Sequence, residues 1–581
     1  MQNDSRDAIE LSLDNKLAGI LAPVSALRGQ FDLGVGDTAA LIECIEWAAK
    51  QSLGLVQILP VQETGSDHSP YNTLSSMAYD PTTITTHPKW LPDLKASDYD
   101  AIIAKYDVPN LSRSAVHYDK VKALKRELLE AALKNLRRRD GDRSRVVAFV
   151  EFETAEKDWL EPYAFFRALI VWNKTEVVSE WPPAHRMPSL AAAWAESLPQ
   201  PERRAFRKLT RFYSYVQWIA HEQWRAVRVA CDKFGVALIG DIPVGVSIYS
   251  ADVWSQKEIF DLTRSSGAPP EKVFKSDLFT EKWGQNWGFP LYNWQQMSHD
   301  NFAWWRRRLN SACSVFHFLR VDHALGFFRI YCFPWRPEEN ARFTDLTPEQ
   351  AMVLTGGRLP GFAEQDDSTE ENRERNRIQG DMILRVFLEE TGAHRLVAED
   401  LGEVALYVRP TLATLDIPGF KIPQWERDWD GRLVHGSNYP RTSLATFATH
   451  DHPTIRQMWE VWFSQSESAE TGSAATHAMN EMMEFCGRSD ISCPRSYDSE
   501  VHAAFIKGLF ATNSWLAVHQ ITDLFGLRER FNTPGATGFE NWTTRIEAPI
   551  SEWNTTYASP LACLPEALQS SGRWHNSSRE G

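Results

Sequence analysis

Short apolar runs recur along this chain with helical stretches between them. AGILAPV (18–24), LGLVQILPV (53–61), GVALIGDIPVGV (235–246), VFHFLRVDH (315–323), HRLVAED (394–400), GFKIPQW (419–425), SLATFATHD (443–451) and SWLAVHQITDL (514–524) each read as a buried strand. Continuous apolar runs, rather than strict alternation, suit strands covered on both faces, and their alternation with helices implies a parallel sheet or barrel. Eight runs is the number a (β/α)8 barrel needs. Between them, TAALIECIEWAAKQS carries a helical apolar stripe with Asp37 and Thr38 available as its cap. FYSYVQWIAHEQWRAVRVACDKFG is a second helix, leading into the third run and ending on Gly235.

The spacing of the runs is uneven, and the excess predicts insertions on one catalytic body spanning residues 1–581. Residues 88–200 hold KVKALKRELLEAALKNLRRRDGDR, expected to be a peripheral helix whose basic run is a solvated face. Residues 336–380, with EQDDSTEENRERNR, and 464–500 read as surface excursions. The ends, before Lys16 and after about Leu564, are expected to fray.

Composition narrows the class. Hydrophobic residues make up 43% and charged residues 24% of 581, an ordinary globular mix with mass for a large core. A net charge of -14 argues against nucleic acid as a partner, since that binding is driven by Lys and Arg on phosphates. The opening MQNDSRDAIELSLDNK has neither a signal nor a transit pattern, and no long apolar run suggests a membrane span, so a cytoplasmic protein is expected; a monomer or homodimer is the expected assembly. Seven scattered cysteines without a CxxC pair signal neither a disulfide framework nor a thiolate zinc site. The chain is rich in Trp, with 23, and aromatic rings suit both cores and the apolar faces of sugars.

Three of the runs carry an acid at or one residue before their ends: Asp322, Glu399 and Asp451. In a (β/α)8 barrel the catalytic groups come from the C-terminal ends of several strands. Side chains two apart on a strand share a face, so Arg320 and Asp322 point together into the barrel mouth, and the guanidinium favours an ionised, nucleophilic carboxylate. Glu399 follows an apolar run, where desolvation suits a general acid. Together they would make the carboxylate pair of a retaining glycosidase, with Asp451 able to hold ring hydroxyls in the transition state. Each acid also has a plainer reading, because an Arg two residues from an Asp is often a structural ion pair and a strand-end Asp often caps the next helix.

RVDHALGF, VAEDLG and FATHDHPT resemble the three acid-bearing segments of the 4-α-glucanotransferases called amylomaltases or disproportionating enzymes, in the α-amylase clan. The likeness extends through Ser69, Pro70 and Tyr71 (an SPY signature), LIGDIPVGVSIYSADVW, GQNWGFPLYNW, RFNTPG and FENW, in the expected order over most of residues 17–546. The resemblance implies a (β/α)8 barrel that transfers α-1,4-glucan segments from a donor to the 4-hydroxyl of glucose or an oligosaccharide, with no metal or cofactor. It implies Asp322 as nucleophile, Glu399 as acid/base and Asp451 as the transition-state carboxylate. Arg320, His450, Tyr71, Ser69 and Asn532 would bind substrate, and Gln285, Trp287 and Glu271 would belong to a lid within 255–300. This chain departs from the family pattern at Glu271, where an Asp is usual, in the longer stretch from Pro270 to Gln285, at His452–Pro453 in place of Asn–Asp, and at Thr544. A hydrolase of the same clan shares all three acids. A noncatalytic glucan-binding barrel and a metal-dependent site at His450, Asp451 and His452 are the other readings, the last disfavoured because consecutive strand residues alternate faces.

Overall fold

The structure is a computed structural model and describes residues 9, 11–138, 142–270, 277–534 and 541–575. Eight parallel strands close into a barrel: β1 (Leu17–Leu21), β2 (Leu55–Gln57), β3 (Ala237–Ile242), β4 (Phe318–Val321), β5 (Leu396–Ala398), β6 (Gly419–Lys421), β7 (Ser443–Ala445) and β8 (Leu516–Gln520). Each strand pairs with its sequence neighbours, and β1 pairs with β8, Leu17 facing Leu516 through Leu21 facing Gln520. All eight apolar runs hold a barrel strand.

The runs are apolar throughout because two cores compete for alternate residues. Leu21, Leu55, Ile239, Phe318, Val397, Phe420, Leu444 and Val518, one from each strand, pack into a single cluster that fills the barrel. Their neighbours Ile20, Val56, Leu238, Leu319, Leu396 and Ala445 belong instead to the large cluster shared with the surrounding helices. This parity carries Arg320, two residues beyond Phe318, inward as well.

Helix Thr38–Lys50 begins on Asp37, whose side chain accepts from Ala40 N–H, and helix Gln200–Phe234 ends on Gly235 at φ +69°. The β2–β3 connection is the longest and includes helices Tyr118–Leu136 and Lys157–Asn173. The basic helix is not wholly solvated: Lys125 is buried and donates to Thr82 O at 2.5 Å and Ile84 O at 2.7 Å. A small antiparallel sheet over the barrel joins Gly361–Ala363, Ile330–Phe333, Ser265–Ala268 and Gln285–Asn286.

Two further sequence expectations fail. Within 464–500, helix Gly472–Phe485 is no mere surface excursion, since Met479, Met482 and Met483 are buried in the main core; their spacing is that of one helix face. The chain beyond Leu564 is also not frayed, because Arg573 is buried and donates to Phe510 O at 2.8 Å, Leu17 O at 2.8 Å, Trp515 O at 3.0 Å, Thr512 O at 3.0 Å and Ser514 O at 2.5 Å. These carbonyls lie about the N-terminal ends of β1 and β8, so one side chain stitches the barrel floor. Among the described residues no helix is long and apolar enough to cross a membrane.

Candidate active site

At the opposite end of the barrel the acids converge on Arg320. Its Nη1 donates to both carboxylate oxygens of Asp241 at 2.8 Å and to Asp322 Oδ1 at 3.0 Å, and its Nη2 is 3.9 Å from Glu399 Oε2. The β3–β4 register dictates the first contact, since Asp241 and Arg320 are facing residues. Asp322 Oδ2 accepts from Val244 N–H at 3.2 Å. His323 follows in the left-handed region at φ 42°, a strained conformation for a non-glycine residue, which aims its N–H at Glu399 Oε2, 2.8 Å away. Glu399 Oε1 accepts from Leu401 N–H at 3.0 Å.

One cation thus faces three carboxyl groups, and distance decides which of them it serves. The Arg320 guanidinium is closest to Asp241 and Asp322, and at Asp241 burial outweighs its pull and pushes the carboxyl up to about 6. Burial, opposed by Arg320 and reinforced by the Asp322 charge, pushes Glu399 up to about 8. Near neutrality Glu399 therefore keeps its proton while the Asp322 carboxyl group sits on the same arginine, an arrangement that suits acid catalysis beside a carboxylate nucleophile.

A second group gathers around Asp451. Its Oδ1 accepts from Asn532 Nδ2 at 2.6 Å, its Oδ2 lies 3.3 Å from His450 Nε2, and its main-chain oxygen accepts from Arg530 at 2.7 Å. Burial would raise this carboxyl, but His450, the Asn532 amide and His452 hold it below the usual carboxylate range. Tyr71 stacks on His450 with ring centroids 5.0 Å apart and donates to Asp241 Oδ2 at 2.8 Å, which links this group to the arginine cluster. Burial holds His450 below its ordinary pKa, opposed by the neighbouring Asp451. His452 is turned elsewhere, its Nδ1 2.8 Å from Thr449 Oγ1, and among the described residues no group of His, Cys, Asp and Glu is arranged to hold a metal.

Of the other expected residues, Trp287 packs edge-on against His323 at 4.9 Å and donates to Gln285 Oε1 at 3.2 Å. Both sit where Gly284, at φ +95°, turns the chain into the small sheet; a Cβ there would collide with Ala268 O. Ser69 shapes the turn, its hydroxyl accepting from Tyr71 N–H at 3.4 Å, and makes no contact with the acids. Glu271 lies outside the described residues. The sequence reading passed over Asp241, His323, Arg530 and Trp542, whose ring is 5.7 Å from His450 and 6.0 Å from Tyr71. Asp241 had a signal: an acid in the apolar run LIGDI, at the same parity as the interior residue Ile239. Trp542 and Arg530 had none beyond the family segments around them.

A family model described as 4-alpha-glucanotransferase matches residues 22–551. A 4-alpha-glucanotransferase of Chlamydia caviae is 30% identical over 553 residues, covering 92% of this chain and 91% of its own. The chloroplastic/amyloplastic 4-alpha-glucanotransferase of Solanum tuberosum is 26% identical over 555 residues, covering 93% and 83%. The fold is similar to that of the amylomaltase from Streptococcus agalactiae in complex with acarbose, with a TM-score of 0.74 at 22% identity, covering 96% of this chain and 100% of that one. These matches do not favour the hydrolase reading. Spanning seven of the eight barrel strands and both carboxylate groups, the family match establishes that this chain belongs to the 4-alpha-glucanotransferases, glycoside hydrolase family 77, enzymes of α-1,4-glucan transglycosylation.

Proposed function

We propose that Asp322, Glu399 and Asp451 carry this transfer by a retaining double displacement. An Asp322 oxygen attacks the anomeric carbon of the donor glucan while the Glu399 proton passes to the departing 4-oxygen, so the glycosidic bond breaks as the glucosyl–Asp322 ester forms. Glu399, now ionised, takes the proton from the 4-hydroxyl of an incoming glucose or oligosaccharide. That oxygen attacks the same carbon and releases Asp322. Asp451, with His450, Tyr71 and Trp542, holds the donor sugar, and Gln285 and Trp287 help close the site against water, which would otherwise intercept the ester.

The observation that carries this reading is the unequal sharing of Arg320: 3.0 Å to Asp322 and 3.9 Å to Glu399, with Glu399 pushed up to about 8. Maltotriose as sole substrate is expected to yield glucose and a ladder of longer oligomers. Asp322→Ala is expected to lower that turnover by about four orders of magnitude; comparable turnover in the variant overturns the nucleophile assignment. Glu399→Gln is expected to fail with maltotriose and to retain glycosylation from a glycosyl fluoride, whose leaving group needs no proton. The enzyme is also read as cytoplasmic, which is supported by seven cysteines that are all free thiols.

A further inference from the structure

The loop after β6 carries two tryptophans that the fold leaves in water: Trp425 is 45% exposed and Trp429 is 96% exposed. Arg427 and Leu433 form an antiparallel bridge, Val434 N–H donates to Glu426 O at 2.8 Å, and Asp428 N–H donates to Arg432 O at 2.9 Å. Arg427 pins this hairpin to helix Gly472–Phe485 through Glu481, with contacts of 3.0 and 3.1 Å, and reaches back to Gly431 O at 2.7 Å. The tip is a four-residue turn in which Gly431 N–H donates to Asp428 O at 3.1 Å. Trp429 is its second residue. Nothing in such a turn calls for an apolar side chain there, and an indole standing free covers nothing of its own fold.

The base of the hairpin touches the active site. Trp425 packs edge-on against His452 with centroids 4.8 Å apart, and His452 directly follows Asp451. In the barrel β6 lies between β5, which leads into Glu399, and β7, which leads into Asp451. The two indoles therefore rise from between the proposed proton donor and the third carboxylate. Asp428 and Asp430 flank the tip and are answered by Arg427 and Arg432, so the tip is nearly balanced in charge and suits a neutral, hydroxyl-rich ligand.

We propose that Trp425 and Trp429 form a sugar-stacking platform that extends the cleft along an α-1,4-glucan beyond the reacting residues, making this hairpin a determinant of preference for long chains. The C–H faces of successive glucose units offer the apolar surface that the open indole faces lack, while ring hydroxyls remain free for the aspartates and water. A rigid hairpin holds the platform in place before the glucan arrives, so little ordering cost is left to binding.

The platform's position relative to the reaction rests on the roles given to Glu399 and Asp451, so binding is measured apart from turnover. In the Glu399→Gln protein, the affinities for amylose and for maltotriose are compared with and without Trp429→Ala or Trp425→Ala. Each indole removal is expected to weaken amylose binding about tenfold, a stacking contact's worth, and maltotriose binding distinctly less. Trp429→Tyr is expected to restore most of the loss. Equal losses for both ligands, no loss for either, or a change of oligomeric state on Trp429→Ala as the only effect overturns the proposal. A failure of the catalytic roles would show instead as turnover persisting in Asp322→Ala, whatever the amylose-to-maltotriose ratio.

Discussion

Asp241 and Arg320 are paired twice over: they face each other in the β3–β4 register, and Arg320 Nη1 lies 2.8 Å from both oxygens of the Asp241 carboxylate. A buried guanidinium held this way on one side can lean only weakly on a third carboxyl group on the other. Asp241 is thus a positioning residue for Glu399, acting through Arg320.

Removing the Asp241 charge frees Arg320 to favour ionised Glu399. Asp241→Asn is expected to move the alkaline limb of kcat/KM for maltotriose to lower pH. The same change breaks a buried ion pair, and a loss of about 3–5 kcal/mol in urea denaturation is expected. An unmoved limb together with that lost stability would reduce Asp241 to a purely structural role.

The limb itself follows from Glu399. In the proposed mechanism glycosylation needs its proton, which is present below about 8 and lost as pH rises through that value, so kcat/KM with maltotriose is expected to fall tenfold per pH unit beyond it. With a glycosyl fluoride donor and Glu399→Gln, the limb is expected to vanish.

The same shift has a stability consequence. Glu399 is raised from 4.5 to about 8 on folding, so the folded state binds the proton more tightly than the unfolded chain. Between those pH values ionisation is resisted in the fold, and stability is lost at about 1.4 kcal/mol per pH unit as pH rises. Glu399→Gln is therefore expected to gain Tm over the parent protein at pH 8 and little at pH 4.5, as differential scanning calorimetry would read.

Asn532 comes to Asp451 from 81 residues away and donates at 2.6 Å. A hydrogen bond to a charged acceptor contributes about 1.5–3 kcal/mol, so Asn532→Ala is expected to lower kcat/KM tenfold to a hundredfold. Asp451 should also titrate higher once the amide is gone, moving the acid limb up in a pH profile.

The barrel was legible because a parallel strand covered on both faces must be apolar at every position, which leaves a continuous run. The acids were legible because each breaks such a run at or next to its end. Asp241 breaks a run in the middle, and an acid there acquires meaning only when the facing residue of the next strand is known to be Arg320. Asn532, Arg530 and Trp542 reach the site from a loop far along the chain, where no periodicity constrains a side chain's direction. The C-terminal end misled for a different reason: its sequence is polar, and Arg573 is buried by backbone carbonyls that composition does not reveal.

Arg573 also imposes an order on how the molecule comes together. Five carbonyl oxygens around β1 and β8 await its guanidinium, and β1 has only β2 beside it until β8 is made, from residue 516 on. For most of its synthesis the nascent barrel is an open sheet with two bare edges, the state in which strands recruit neighbouring chains. The segment that follows helix Leu564–Ser570 works as a clasp, and a chain truncated just before Arg573 should aggregate although it keeps Asp322, Glu399 and Asp451.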